Sequence, residues 1–245
     1  MGFPGAYDKT DNGRQLTSKL WRDFNPAAVA ADPGRGWIIH EDYFRIGTAA
    51  EDYIGTQATT GTFALDPAAE NGVALIDSAS STVTQGFQVQ YTAINVTPAA
   101  GVTIAFETRL KVADVATGPE FYAGLGIADT TFIATSAVSA TDWIGYYSIT
   151  DDNILLFGID DGTASLTTTP GTLVEGTYIK LGFKINGLDS IEMYVDGDEK
   201  ASLAASVSMA NIPDTIICPT FVCQSNGTTD PITHIDWWRM GVLTG

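Results

Sequence analysis

Few side chains in this chain combine into a recognisable reactive set. Its two histidines are His40 and His234. A nucleophilic serine needs a histidine beside it and a carboxylate to orient that histidine. No Gly-x-Ser-x-Gly elbow is present to carry such a serine. Nor is there a Gly-x-x-x-x-Gly-Lys loop to cradle phosphate. In His40-Glu41-Asp42 the two acids are adjacent, which on a strand sends them to opposite faces. Cys218 and Cys223 have only His234 nearby, a poor zinc donor set. On one strand they would lie roughly 16 Å apart at ~3.3 Å per residue. A disulfide spans at most about 7 Å between Cα atoms. Two reduced, buried thiols are therefore expected. Calcium asks for about six to eight oxygens. Asp151-Asp152-Asn153 and Asp160-Asp161-Gly162 lie at opposite ends of one expected strand, about 20 Å apart, and cannot share an ion. These loops and Asp196-Gly197-Asp198-Glu199 read as hairpin turns, and no cofactor is expected.

The elements that would hold such residues are strands. In Ile179-Lys-Leu-Gly-Phe-Lys-Ile185 every second residue is apolar. After Asn186-Gly187-Leu188-Asp189 the alternation resumes in Ile191-Glu-Met-Tyr-Val195, and Asp196-Gly197 turns the chain into a third strand ending at Leu203. Alternation gives one buried and one wet face, and Asp-Gly supplies the positive φ angles of a tight hairpin. Further strands are expected at 36–44, 61–65, 72–77, 86–91, 102–112, 121–128, 143–149, 153–159, 163–168, 215–223 and 233–242. Their spacing suits a sandwich or barrel. No amphipathic helix of 10–15 residues separates them, against a parallel α/β sheet.

Residues 1–35 differ. Gly2, Pro4, Gly5, Gly13, Pro26, Pro33 and Gly34 punctuate them, and no alternation appears. A short helix is expected over Gln15–Phe24, where Leu16, Leu20 and Phe24 recur every four residues. The division is thus an extended N-terminal docking arm, 1–35, and a β-sandwich, 36–245; the alternative for 1–35 is a terminal extension lying on its own sandwich. Leu16, Leu20, Trp21, Arg22 and Phe24 are the expected docking side chains. The arm carries five bases against four acids, so the net charge of −17 belongs to the sandwich. An acidic body repels nucleic acid and anionic membranes, and neither is an expected partner. No run of 18 apolar residues is present to span a bilayer. Met1-Gly-Phe-Pro-Gly5 lacks the basic and apolar regions of a secretory signal.

Five segments occur in a telling order: Thr103–Val112, Phe121–Ala128, Tyr178–Phe183, Ile191-Glu-Met-Tyr-Val-Asp-Gly197 and His234-Ile-Asp-Trp-Trp-Arg-Met240. The series resembles the concanavalin A-like lectin/glucanase (laminin-G-like) jelly roll, of the kind found in tailed-phage structural proteins. The resemblance covers residues 36–242. It implies an all-β, two-sheet antiparallel jelly-roll sandwich whose last strand pairs beside the first. Hydrolases of this superfamily carry Glu-x-Asp-x-Glu on one strand, so that alternation points the carboxylates into one cleft about 5–5.5 Å apart. No glutamate here has that continuation. Glu192, on the right sort of strand, is followed by Met193-Tyr194-Val195. The chain is accordingly expected not to be an enzyme.

The expected function is that of a virion structural protein on the capsid exterior. It would be a decoration, cement or head-fibre subunit docked on the major capsid protein or other virion proteins through the arm. A homo-oligomer is expected, a trimer by preference. The alternative is an adhesin module for host glycan, with Tyr146, Tyr147 and Trp238 as stacking residues. Because Trp237 and Trp238 are adjacent, one of them must point outward.

Overall fold

The computed structural model describes residues 19–25, 29, 32–43, 45–46, 52–58, 60–69, 72–113, 115, 120–134, 137–138, 140–149, 153–163, 165–204 and 211–245. The strands are β1 (Gly36–Glu41), β2 (Ile54–Ala58), β3 (Thr62–Leu65), β4 (Ala74–Asp77), β5 (Gly86–Gln90), β6 (Val102–Val112), β7 (Glu120–Gly126), β8 (Asp142–Ser148), β9 (Ile154–Asp161), β10 (Ser165–Thr172), β11 (Ile179–Asn186), β12 (Ser190–Val195), β13 (Asp198–Ala204), β14 (Cys218–Gln224) and β15 (Ile232–Thr244). They form two antiparallel sheets. The back sheet runs β13-β12-β11-β6-β15-β4-β3, and the front sheet runs β10-β9-β8-β7-β14-β5-β2. Strand β1 pairs with β15 from Gly36↔Leu243 to Glu41↔Trp238, so the first and last strands are neighbours. It shares that edge of β15 with β4, which pairs with Ile232–Ile235.

Period-two alternation builds the core. From the back sheet, Ile104, Phe106, Leu110, Leu181, Phe183, Ile185, Met193, Trp238 and Met240 point inward. They meet Val89, Phe121, Leu125, Ile144, Tyr146, Phe157, Phe221 and Cys223 of the front sheet. Each large side chain so buried contributes about 1.5–3 kcal/mol. The β11–β12–β13 meander forms as its sequence demands, with Asp196 (φ 52°) and Gly197 (φ 88°) both left-handed at the hairpin. A register shift between Ile235 and Trp237 resets the phase of β15, so that Trp238 continues the inward series. Cys218 and Cys223 are buried free thiols, as the spacing predicts. Burial pushes Cys223 up to about 12 and Cys218 up to about 11.

Two expectations about elements need correction. Strand β2 was not expected: Ile-Gly-Thr-Gln-Ala shows no apolar alternation, because as an edge strand it is largely exposed on both faces. The helix over Gln15–Phe24 is absent from its described part. There Lys19–Asp23 is a turn, with Arg22 N–H donating to Lys19 O at 3.4 Å and Phe24 N–H to Trp21 O at 3.0 Å. Its apolar side chains are fixed by the sheet beneath rather than by a helical stripe. Leu16 lies outside the described residues.

Candidate functional site

Two outer faces carry polar chemistry. On the back sheet, strand register aligns Tyr194, Gly182, Glu107, Arg239 and His40 in one row across five strands. The next row is Glu192, Lys184, Ala105, Gly241 and Ile38. Gly182, Ala105 and Gly241 leave a trough, and the arm fills it. A Cβ on Gly182 would lie 2.7 Å from Leu20, and one on Gly241 would lie 2.7 Å from the Phe24 ring and 3.0 Å from Trp21. Leu20, Trp21 and Phe24 are consequently buried against their own sandwich. The Trp21 indole N–H donates to Glu107 at 2.7 Å. Lys184, 2% exposed, reaches Asp23 at 3.1 Å and Glu192 at 3.3 Å. Its hydrogen bond holds the Asp23 carboxyl below the usual range. Burial alone would raise Glu192, but bonds from Tyr194 and Asn186 and the Lys184 charge outweigh it and hold it low. The expected docking role is corrected for Leu20, Trp21 and Phe24, which this intramolecular contact occupies. Arg22 stays exposed.

The front-sheet face is built differently. Gly124, Gly126, Gly145 and Gly158 make a floor that aromatic rings approach closely. A Cβ on Gly145 would stand 2.8 Å from the Tyr122 ring, one on Gly158 2.4 Å from Trp143, and one on Gly126 2.2 Å from Phe132. Tyr122, Phe132, Ile133, Trp143, Tyr147 and Val222 thereby form a second, smaller core outside the sandwich. The segment 127–134 is laid over this face and fastened by two glutamines of β5. Gln90 accepts from Asp129 N–H at 3.0 Å and donates to Ile127 O at 2.9 Å. Gln88 accepts from Phe132 N–H at 3.0 Å and donates to Asp129 O. Each amide side chain pairs with loop backbone much as a neighbouring strand would.

Beside this loop is a groove of about 280 Å³, walled by Thr56, Thr84, Gln88, Thr131, Phe132, Val222 and Gln224. Among the described residues no charged side chain lines it. Behind it Glu120 is fully buried, and Gln224 donates to its carboxylate at 2.8 Å. The groove thus sets threonine side chains over an apolar floor, while the Gln88 amide is held by the loop and the Gln224 amide by Glu120. Spacing could have singled out Gln88 and Gln90 as one-face neighbours on β5, but no periodicity marks the loop they bind.

The expected stacking residues lie elsewhere. Tyr146 is in the main core, its hydroxyl donating toward Gly182 O and Tyr194 O, each at 2.8 Å. Trp238 is fully buried in the same core. Tyr147, 5% exposed, shares a hydrogen bond of 2.9 Å with Thr167 and packs edge-on to Trp143. None presents a ring to a sugar, because inward alternation claims two and the outer small core claims the third. Trp237 is the outward-pointing tryptophan, and it too is covered. Arg239 lies 4.4 Å over its ring and His40 packs against it edge-on at 6.4 Å. The histidines do not meet: His40 pairs opposite Arg239, whereas His234 contacts Asp66 at 3.2 Å. Among the described residues no group of three or more His, Cys, Asp or Glu side chains is disposed to hold a metal. No helix among them is long and apolar enough to cross a membrane.

No protein-family model and no curated protein matches this chain. Solved structures do. Peanut lectin with a nine-residue peptide superposes with a TM-score of 0.57 at 17% identity, over 84% of this chain and 97% of that one. The endo-β-1,3-glucanase of Pyrococcus furiosus gives 0.55 at 12%, over 87% and 97%. The fold is the concanavalin A-like jelly roll. A protein of unknown function from Shewanella oneidensis MR-1 gives 0.58 at 15% identity, over 99% of this chain and 97% of that one. Lectins and glucanases alike share this jelly roll, so the fold itself is neutral between binding and hydrolysis.

Proposed function

We propose that this chain is a non-catalytic carbohydrate-binding jelly roll, holding a neutral sugar in the front-sheet groove beside the 127–134 loop. The observation that carries this reading is the lining of the groove: the Thr56, Thr84 and Thr131 side chains over Phe132 and Val222, with no charged group among the described lining residues. Sugars present the same pairing of hydroxyls with apolar ring faces. The groove is close to the small end of ligand sites, roughly 300–1,000 Å³, which suits one terminal sugar residue. The non-catalytic part rests on the carboxylates. Glu120, behind the groove, is buried and tied to Gln224, and no acid is among the described residues that line the groove. The likeness to lectins agrees with binding, and the likeness to a glucanase keeps a hydrolysis assay necessary. A glycan array followed by calorimetry tests the reading. The double variant Thr56→Val, Thr84→Val is expected to weaken binding of any hit about tenfold. An array without hits at high protein concentration, or release of reducing sugar from β-glucans, would count against it.

A second reading sets this module on a virion, as a capsid decoration, cement or head-fibre subunit. It draws support from the resemblance to tailed-phage structural proteins and from the arm. Lys19 and Arg22 keep 65% and 73% of their side chains exposed on an otherwise acidic protein. The two readings are compatible, since a virion surface is where a glycan-binding module would meet a host. Because residues 19–25 belong to the folded sandwich, the informative truncation removes residues 1–18. That variant should fold and lose capsid attachment; attachment at the wild-type level would contradict the docking role.

A further inference from the structure

A second cavity, of about 330 Å³, is lined by Tyr43, Tyr53, Phe63, Tyr91 and Trp238. Four of these aromatic side chains contact one another in a closed series. Tyr43 meets Phe63 edge-on with centroids 6.1 Å apart, Phe63 meets Tyr53 edge-on at 5.0 Å, and Tyr53 meets Tyr91 at 6.3 Å. The Tyr91 and Tyr43 hydroxyls then join at 2.9 Å. Trp238 backs Tyr91 at 4.9 Å and reaches the same cavity.

Three carboxylates, Glu41, Asp42 and Asp52, also line it, against one guanidinium, Arg45. Burial pushes the Glu41 carboxyl above its usual range, a cost that a cation in the cavity would offset. Tyr43 enters the ring with φ of 52°. A bulky residue seldom adopts this left-handed conformation, and such strain concentrates at functional sites.

Aromatic faces attract cations through their quadrupoles, most strongly where water is excluded, and carboxylates at the rim add a Coulombic pull. We propose that this cavity binds a small quaternary or methylated ammonium group. The aromatic ring would hold the alkylated head, and the acids would select for positive charge. A plain apolar ligand would use the rings without the acids, and an anion would be repelled by them.

Calorimetry on the full chain with three probes tests this. Choline carries the charge, 3,3-dimethylbutan-1-ol is its neutral isostere, and phosphocholine adds an anion as a headgroup would. Choline should bind about tenfold or more tighter than the neutral alcohol. Phosphocholine should bind more weakly than choline, which points to a free cation rather than a headgroup. Tyr53→Leu keeps apolar bulk but removes one π face, and should cost choline about tenfold while leaving the alcohol unchanged. Should that variant fail to fold, Asp52→Asn on an exposed turn should weaken choline selectively. No choline binding, equal binding of choline and the alcohol, tighter binding of phosphocholine, or choline affinity unchanged in whichever variant folds would each overturn the proposal.

Discussion

Single side chains decide which face of this jelly roll is available. Gln90 fastens the 127–134 loop with bonds to Asp129 N–H, Ile127 O and Thr220. Gln90→Leu keeps the volume but strands a loop donor and a loop acceptor. It should destabilise the protein by about 2–3 kcal/mol, measured by urea denaturation, and loosen the groove wall. His234 provides a pH signature. Burial, followed by the Lys111 charge, holds its pKa below the usual histidine range, with Asp66 opposing. A depressed folded pKa means that the unfolded chain binds the proton more readily. The stability contribution is therefore present above about pH 6.5 and lost as pH falls toward the folded value. Denaturation midpoints should drop from about pH 7 to pH 5, and His234→Gln should flatten that slope. The stacking residues were misread for a comparable local reason. Alternation states that one of Trp237 and Trp238 faces outward, and Trp237 does. It cannot state that Arg239 and His40 will cover the outward ring.

Elements were legible where apolar and polar residues alternate along the sequence, even where both faces of the strand are covered. The β11–β12–β13 meander, β6 and β15 show this alternation, and their sequence bounds fall within a few residues of the observed ones. Strand β2 escaped because an edge strand exposed on both faces needs no apolar alternation. The loop over the front sheet escaped because its contacts run to glutamines of β5 distant in sequence, leaving no local period. For residues 19–25 the sequence left two destinations open, a partner or the chain's own sandwich, and the described side chains lie on the sandwich. Nothing in Leu20-Trp21-Arg22-Asp23-Phe24 names the trough at Gly182, Ala105 and Gly241 that receives it. The trough makes a direct test possible. Gly241→Ala puts a methyl group 2.7 Å from the Phe24 ring and 3.0 Å from Trp21, and neither ring is the loose end of a flexible chain. Overpacking of this kind costs about 1–3 kcal/mol. The variant should release the arm, seen as fast amide exchange or proteolysis at 19–25, while the sandwich still unfolds cooperatively.

Taken whole, the described molecule is a jelly roll with residues 19–25 folded over its back and the 127–134 loop over its front, with a neutral groove and an aromatic cavity among its described pockets. The fold was readable from turn and core chemistry, which jelly rolls share. The function was not, because the face that distinguishes binders from hydrolases is defined here by what covers it. The acidic charge of the sandwich and the absence of charge in the groove fit a protein that recognises neutral hydroxyl-rich partners. The most direct check is amide chemical-shift mapping of the isotope-labelled protein against oligosaccharides chosen from array hits, with a reducing-sugar assay on the same samples. Shifts confined to Thr56, Thr84, Gln88, Thr131 and Gln224, with the sugar recovered intact, are the predicted result. Shifts confined to the back sheet and arm, or cleavage of the sugar, would contradict it.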